Sequence, residues 1–336
     1  MATIKDVAKR AGVAPSTVSR VLSGSTRISP ETHERVRSAM RELNYHPNAI
    51  ARSLAQKSTA TIGLMIARPA EQALANPFFP ELMRGIGSVL YGAGYNLMLS
   101  MVSSPDEERN VCLRLLRGRR VDGVILASAS LDHKLVDDLV AEEFPFVLVG
   151  RVDGQSGITT VNNDNEMVGR MAVRHLIAQG HRRIGLIGGP SELTVSIDRT
   201  FGYRQGLAEA GIVWDGGLEA GGWFTKEGGH QALLELMDRP APPTAVFAAD
   251  DAMAVGALMA LKERKLEHKV ALVGVNDDPL TALVDPALST IRIPVFDLGA
   301  TAARTLLEML KRDEWEPRSV LLPSTLVIRA SSNWAL

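Results

Sequence analysis

Apolar residues in the first forty-five positions recur at helical spacing. Ile4, Val7, Ala8 and Ala11 fall at i, i+3, i+4 and i+7, which predicts a helix with one buried stripe. Gly12 suits the left-handed position that ends such a helix, and Val13 can fill the corner behind it. Pro15 fits the first turn of a second helix, where a missing N–H costs nothing. Val18, Val21 and Leu22 then face inward and leave Ser16, Thr17, Ser19 and Arg20 pointing out. Two short helices around a glycine turn, the second presenting small polar groups and an arginine, predict a helix-turn-helix suited to a DNA major groove. An ordinary amphipathic helix pair is the plainer alternative. Ser29-Pro30-Glu31 reads as a helix start, and Val36, Ala39, Met40 and Leu43 share one face of the third helix that follows.

His46-Pro47-Asn48 stops that helix, because a residue before proline is pushed out of the helical region. A very short helix, 49–55, and the polar run Gln56-Lys57-Ser58-Thr59 are expected next. So short a helix is unstable alone, and Leu54 at its exposed end either rests on the body or serves as an apolar wedge for a minor groove. From Thr61 the pattern changes. TIGLMIA, YNLMLSMV, DGVILAS and PFVLVG are continuous apolar runs of strand length, with helical stretches from about Pro77, Asp106 and Asp132 between them. Such alternation predicts a parallel sheet covered on both faces. After TTVNND the scheme restarts with RRIGLIGG, TAVFAAD and VALVGVND, and helices are expected near 166–179, 199–210, 226–238 and 251–265. LSTIRIP, a helix at 296–311 and SVLLPSTLVIR close the chain. The fold class is therefore an all-α helix-turn-helix head on an α/β body of two doubly wound parallel-sheet lobes. The boundaries read as a head at 1–46, a hinge and linker at 47–60 and a body at 61–336. Lobe one covers about 61–160 plus 292–322, and lobe two about 161–291 plus 323–336.

Charge sharpens this reading. Residues 1–60 hold ten Lys/Arg against four Asp/Glu, a net of +6, while the remainder of this chain of net −1 carries −7. Positive charge gathered at one end points to phosphate contact by the head alone. At 336 residues and 46% apolar, the chain can bury a large core. It shows no signal-peptide pattern and no apolar run long enough to span a bilayer, so a cytoplasmic protein is expected. The one cysteine, Cys112, lies in a predicted helix and reads as core filler.

Nothing in the sequence calls for catalysis. The phosphate-loop, dinucleotide and nucleophile-elbow motifs are missing, and the seven histidines never take zinc-ligand spacing. Neither enzyme activity, nor a metal, nor a cofactor is expected. The strand ends instead carry amides and carboxylates: Asn162, Asn163, Asp164 and Asn165; Asp250 and Asp251; Asn276, Asp277 and Asp278. Such groups can pair with sugar hydroxyls, although each could equally cap a helix. Arg199 could reach the same cleft, with Arg151 as a second cation. Phe78, Phe79 and Trp223, placed in loops after strands, offer faces on which sugar rings stack. Asn76-Pro77-Phe78-Phe79-Pro80 reads as a non-helical lid over that cleft.

The run TIKDVAKRAGVAPSTVSRVLSG, then NPFFPELMRGI, RVDGVIL, GHRRIGLIGG, FAADDAMAVGAL and LVGVNDDP, resembles the lactose/galactose-repressor family over essentially the whole chain. YHPN, AEEFPFVLVG, VNNDN and IDRTFGY are most similar to its maltose-operon repressors. The resemblance implies a homodimeric transcriptional repressor that reads a near-palindromic operator and is controlled by a small sugar, here maltose or a maltodextrin acting as inducer. It places Pro15, Ser16 and Arg20 on base edges, and Thr3, Lys5, Thr17, Ser19 and Asn48 on phosphates or at the hinge. Leu54 becomes the minor-groove wedge. Phe78 and Phe79, Asn163, Asp164, Arg199, Trp223, Asp250 and Asn276 become the effector pocket. Two departures from the family stand out: Ala14 replaces a capping serine, and Asn276 replaces an aspartate. With no leucine-heptad tail before Leu336, the tetramer seen in one family member is not expected. A repressor of another sugar regulon, a catabolite regulator answering to a phosphocarrier protein, and a sugar-binding protein are the competing readings.

Overall fold

The computed structural model describes residues 2–22, 27–45, 58–127, 134–152, 154, 157–312 and 314–333. The head holds three helices, Ile4–Ala11, Pro15–Leu22 and Pro30–Glu42, around a core in which Val7, Val18 and Val36 are wholly buried. Thr3 closes the first helix with a reciprocal cap: its Oγ1 accepts the Asp6 N–H at 3.4 Å, and the Asp6 carboxylate accepts the Thr3 N–H at 2.8 Å. Those hydrogen bonds hold the Asp6 carboxyl below its ordinary pKa. Gly12 ends the helix at φ 63°. Arg10 pairs with Glu42 (2.6 Å), and Arg35 donates to the Ala11 carbonyl (3.1 Å), tying the third helix to the first.

The body contains two six-stranded sheets. In the first, β1 (Thr61–Ile66), β2 (Asn96–Met101), β3 (Gly123–Leu126), β4 (Phe146–Val149), β5 (Thr160–Asn163) and β11 (Ser319–Leu322) run in the order β11-β5-β4-β3-β1-β2, all parallel. The second holds β6 (Ile184–Gly188), β7 (Glu219–Gly221), β8 (Ala245–Ala248), β9 (Ala271–Asn276), β10 (Ser289–Arg292) and β12 (Thr325–Val327), ordered β12-β10-β9-β8-β6-β7. Only β12 runs antiparallel to its neighbour. Central strands such as β3, β8 and β9 are buried along their whole length, as a sheet covered on both faces requires. SVLLPSTLVIR splits at Pro323-Ser324, so that β11 joins the first sheet and β12 the second.

Three expectations need correction. Asn76-Pro77-Phe78-Phe79-Pro80 is not a non-helical lid, because a helix begins at Phe78 and continues to Ala93. Its proline at the third position sits in the first turn, where no intrahelical N–H is required. A short helix, Ala70–Ala75, precedes it where none was expected. The helix carrying Arg199 starts at Thr194, five residues early, because its stripe is masked by polar residues that are buried: Thr194, Ser196, Asp198 and Arg199.

Helices in the body pair through reciprocal glycines. A Cβ on Gly202 of the Thr194–Glu209 helix would lie 2.0 Å from the Glu166 carbonyl oxygen, and one on Gly169 of the Asn165–Ala178 helix 2.3 Å from that of Arg199. The same arrangement joins Gly85 and Gly299 across the Phe78–Ala93 and Val295–Met309 helices, and Gly229 and Gly256 across Lys226–Met237 and Asp251–Glu263. Gly202→Ala should therefore force the helices apart and cost about 1–3 kcal/mol or more in a urea unfolding titration. Gly87→Ala, on the same kind of helix but with open space around its Cβ, should be neutral or stabilise by up to about 1 kcal/mol. Equal effects at the two sites would overturn the close-packing account.

Candidate functional site

The carboxyl ends of the two sheets face each other across a cleft, the position at which doubly wound folds bind ligands. It encloses a cavity of about 110 Å³ between β3, β4 and β5 on one side and β8 and β9 on the other. Phe78 and Phe79 enter from the first turn of their helix and stack edge to face, ring centroids 5.3 Å apart. Asn162, Asn163 and Asn165 line the floor. Asn163 Nδ2 donates to Asn165 Oδ1 (3.0 Å), and Arg199 Nε donates to the same oxygen (3.0 Å). Arg199 also donates to the Ala249 carbonyl at 2.6 Å. Its guanidinium is buried, and burial brings its pKa down to about 10.

Asp250 sits opposite with both oxygens engaged. Oδ1 accepts the N–H groups of Ala252 (2.7 Å) and Met253 (3.4 Å), so the residue does cap the Asp251–Glu263 helix. Oδ2 accepts from the side-chain amides of Asn76 (3.3 Å) and Asn276 (3.1 Å). Burial raises its carboxyl pKa, against the pull of Arg199. Capping and lining the cavity are thus one role. Asn276, held at φ 119°, leaves its Oδ1 buried with no partner among the described residues. An acceptor of that kind is costly unless a ligand supplies a donor. Besides Asn76–Asp250, hydrogen bonds that cross from one lobe to the other among the described residues include Arg151 Nε to Asp198 at 2.7 Å and Thr194 Oγ1 to the Arg151 carbonyl at 3.2 Å.

Phe79, Phe78, Asn163, Arg199, Asp250 and Asn276 therefore lie together on the cavity wall. Two expected pocket residues do not. Asp164 is exposed and caps the Asn165–Ala178 helix by accepting the Met167 N–H (2.8 Å), which turns Asn165 inward in its place. Trp223 is 62% exposed and lines an adjoining outer cavity of about 550 Å³, while its neighbour Phe224, 8% exposed, enters the inner one. Both residues have positive φ (58° and 56°), so the chain turns sharply there and only one ring can point in. Phe224 packs so closely that a Cβ on Gly189 would fall 2.2 Å from its ring. Arg68, between β1 and the Ala70–Ala75 helix, was also missed. Its only sequence signal was a lone cation at a strand end.

In the head, Pro15, Ser16 and Arg20 of the second helix are exposed, as is Lys5, and Thr17 and Ser19 are half-buried. Thr3 is exposed but its hydroxyl and N–H both serve the cap to Asp6. Asn48 and Leu54 lie outside the described residues.

Residues 3–48 match the family model described as bacterial regulatory proteins, lacI family, and residues 157–332 match a periplasmic binding protein-like domain. The HTH-type transcriptional regulator CelR of Thermobifida fusca is 35% identical over 98% of both chains. The ribose operon repressor of Escherichia coli K12 is 34% identical, covering 99% of this chain and 100% of its own. The chain belongs to the lacI family. Among solved structures, a lac repressor dimer bound to operator and the anti-inducer ONPF superposes with a TM-score of 0.87 at 30% identity, over 98% of this chain and 99% of that one. A CelR–cellobiose complex gives 0.77 at 34% identity, over 98% and 100%. This lacI-family protein is a DNA-binding, sugar-responsive transcriptional repressor, and its relatives are regulators rather than enzymes. No helix among its described residues is long and apolar enough to cross a membrane.

In the wall of the outer cavity, Asp278 donates its N–H to Asp251 Oδ2 (2.9 Å), and Thr290 Oγ1 donates to Asp251 Oδ1 (2.7 Å). Burial, then the neighbouring Asp251, Asp250 and Asp277, push the Asp278 carboxyl up to about 8, from an ordinary 3.8. Between those values the folded repressor holds a proton that the unfolded chain has released, so this group lowers stability as pH rises. Asp278→Asn should add about 1–3 kcal/mol near pH 8 and nothing at pH 4 in chemical unfolding. A gain that is the same at both pH values would rule out titration as its cause.

Proposed function

We propose that the repressor works as a cytoplasmic homodimer, with its head (1–46) on DNA, its hinge and linker at 47–60, and its body (61–336) as the sugar sensor. Pro15, Ser16 and Arg20 meet base edges, while Lys5, Thr17, Ser19 and the N-terminus of the helix that Thr3 caps meet phosphates. Asn48 and Leu54 serve the hinge and the minor groove. The exposure of Pro15, Ser16 and Arg20 on one helix supports the base-reading assignment. Arg20→Ala should cost roughly 1–3 kcal/mol and relax preference at one base pair per half-site, read by gel shift over operator variants. A uniform loss across variants, with a shallower salt dependence, would make Arg20 a phosphate contact instead.

For the effector, the reading with most support is a neutral sugar of two rings that induces by displacing the repressor. The observation that carries it is the pair of adjoining cavities. The inner one, about 110 Å³ and lined by amides and phenyl rings, has room for a single sugar ring, and the outer one, about 550 Å³, presents Trp223 to a second. The solved CelR relative is titled as a cellobiose complex, also a two-ring sugar. Maltose has the same size with a different linkage and is the candidate that the resemblance names. At 100 times its dissociation constant a one-site ligand adds about 2.7 kcal/mol, a melting shift of a few degrees. A thermal-shift panel of maltose, maltotriose, cellobiose, glucose, ribose and adenine is expected to single out maltose. A shift with cellobiose alone would retain the two-ring reading and discard maltose, and a shift with ribose or adenine alone would discard both.

A further inference from the structure

Arg68 stands where the inner and outer cavities meet. It lines both, together with Asn76 and Phe224. Its guanidinium carbon lies over two rings, 5.8 Å from the Phe79 centroid on one lobe and 5.2 Å from the Phe224 centroid on the other. A planar cation held between two aromatic faces is restricted in orientation before any ligand arrives. Neither Asp250 nor Glu192, the carboxylates whose charge it feels, forms an ion pair with it, and no described residue accepts a hydrogen bond from it. Asn76, by contrast, is already committed: Nδ2 donates to Asp250, and Oδ1 accepts the Phe78 N–H at 3.0 Å. Phe224 has no polar side-chain atom. Among the described residues lining both cavities, Arg68 alone offers open donors.

We propose that Arg68 is a specificity-determining residue that reads the second unit of the sugar. Its guanidinium donates to the oxygens at the junction of the two rings, so the repressor answers to a disaccharide rather than to the single ring that the inner cavity holds. This rests on the two-ring reading above and adds the residue that enforces it. A ligand ending at the inner cavity leaves those N–H groups to water. One that crosses between the phenyl rings meets them in a partly desolvated gap, where an unmade hydrogen bond is expensive.

Calorimetric titration of the full chain with glucose, maltose and cellobiose tests this. The wild-type protein is expected to bind maltose or cellobiose at least roughly tenfold more tightly than glucose. Arg68→Met keeps the apolar stem and removes the donors. It should weaken the preferred disaccharide by roughly tenfold or more and leave glucose nearly unchanged, with Arg68→Lys in between. Arg68→Gln, which keeps a polar head but removes the charge and most of the donors, should show the same selective loss and keeps the test open if Arg68→Met folds poorly. Trp223→Ala, at the outer cavity alone, should weaken only the disaccharide if the two-ring reading holds. Equal losses for glucose and the disaccharide in Arg68→Met would make Arg68 structural and overturn the assignment. An undiminished disaccharide preference in that variant would overturn it while leaving the two-ring reading in place. A wild-type protein that prefers glucose to both disaccharides would overturn the two together.

Discussion

The body depends on helix axes that approach until backbone touches backbone. Gly169 and Gly202 meet the carbonyls of Arg199 and Glu166, one residue from or at the polar groups that build the cleft. Gly229 meets the Met253 carbonyl, in the first turn after Asp250, and Gly256 meets that of Lys226 on the paired helix. A methyl group at any of these positions would displace a helix end and with it Asn165, Arg199 or Asp250. Interiors packed at crystal-like density transmit such shifts instead of absorbing them. The third glycine pair, Gly85 and Gly299, locates the Phe78–Ala93 helix whose first turn supplies both phenyl rings.

That rigidity within each lobe leaves the relation between lobes to a few contacts. Asn76–Asp250, Arg151–Asp198 and the Arg68–Phe224 stack all cross the cleft, and all are polar or partly exposed. A ligand shifts such an arrangement only by binding one lobe orientation better than another. Couplings of this kind are typically about 1–3 kcal/mol, enough to move operator affinity by roughly 5–150-fold without unfolding anything. Asn276 Oδ1, buried with no partner among the described residues, and the Arg68 guanidinium line the same cavity from opposite lobes.

The head is built on separate physics. Its small core of valines and alanines gives little room for stability, so caps matter: Thr3 with Asp6, Gly12 at the left-handed position, Ser29 ahead of Pro30. The second helix has no such cap, consistent with Ala14 standing before Pro15. The net charge of +6 over residues 1–60, against −7 for the rest, concentrates attraction to phosphate in the part that must reach DNA.

Periodicity and local residue chemistry determined the three head helices, most of the order of strands and helices in the body (the Ala70–Ala75 helix and β7 excepted) and the polar strand ends that face the cleft. Those features follow from local spacing, since a buried stripe or a buried strand must repeat along the chain. Which of two neighbours points into the cavity was decided only by tertiary structure. Asp164 yields to Asn165 because its carboxylate takes a helix N-terminus, and Trp223 yields to Phe224 at a turn of two left-handed residues. The helix from Thr194 hid its start because its buried face is polar and finds partners far away in sequence, as Arg199 does with the Ala249 carbonyl. Arg68 was illegible for the same reason. A lone arginine after a strand acquires meaning only when rings from residues 79 and 224 close around it.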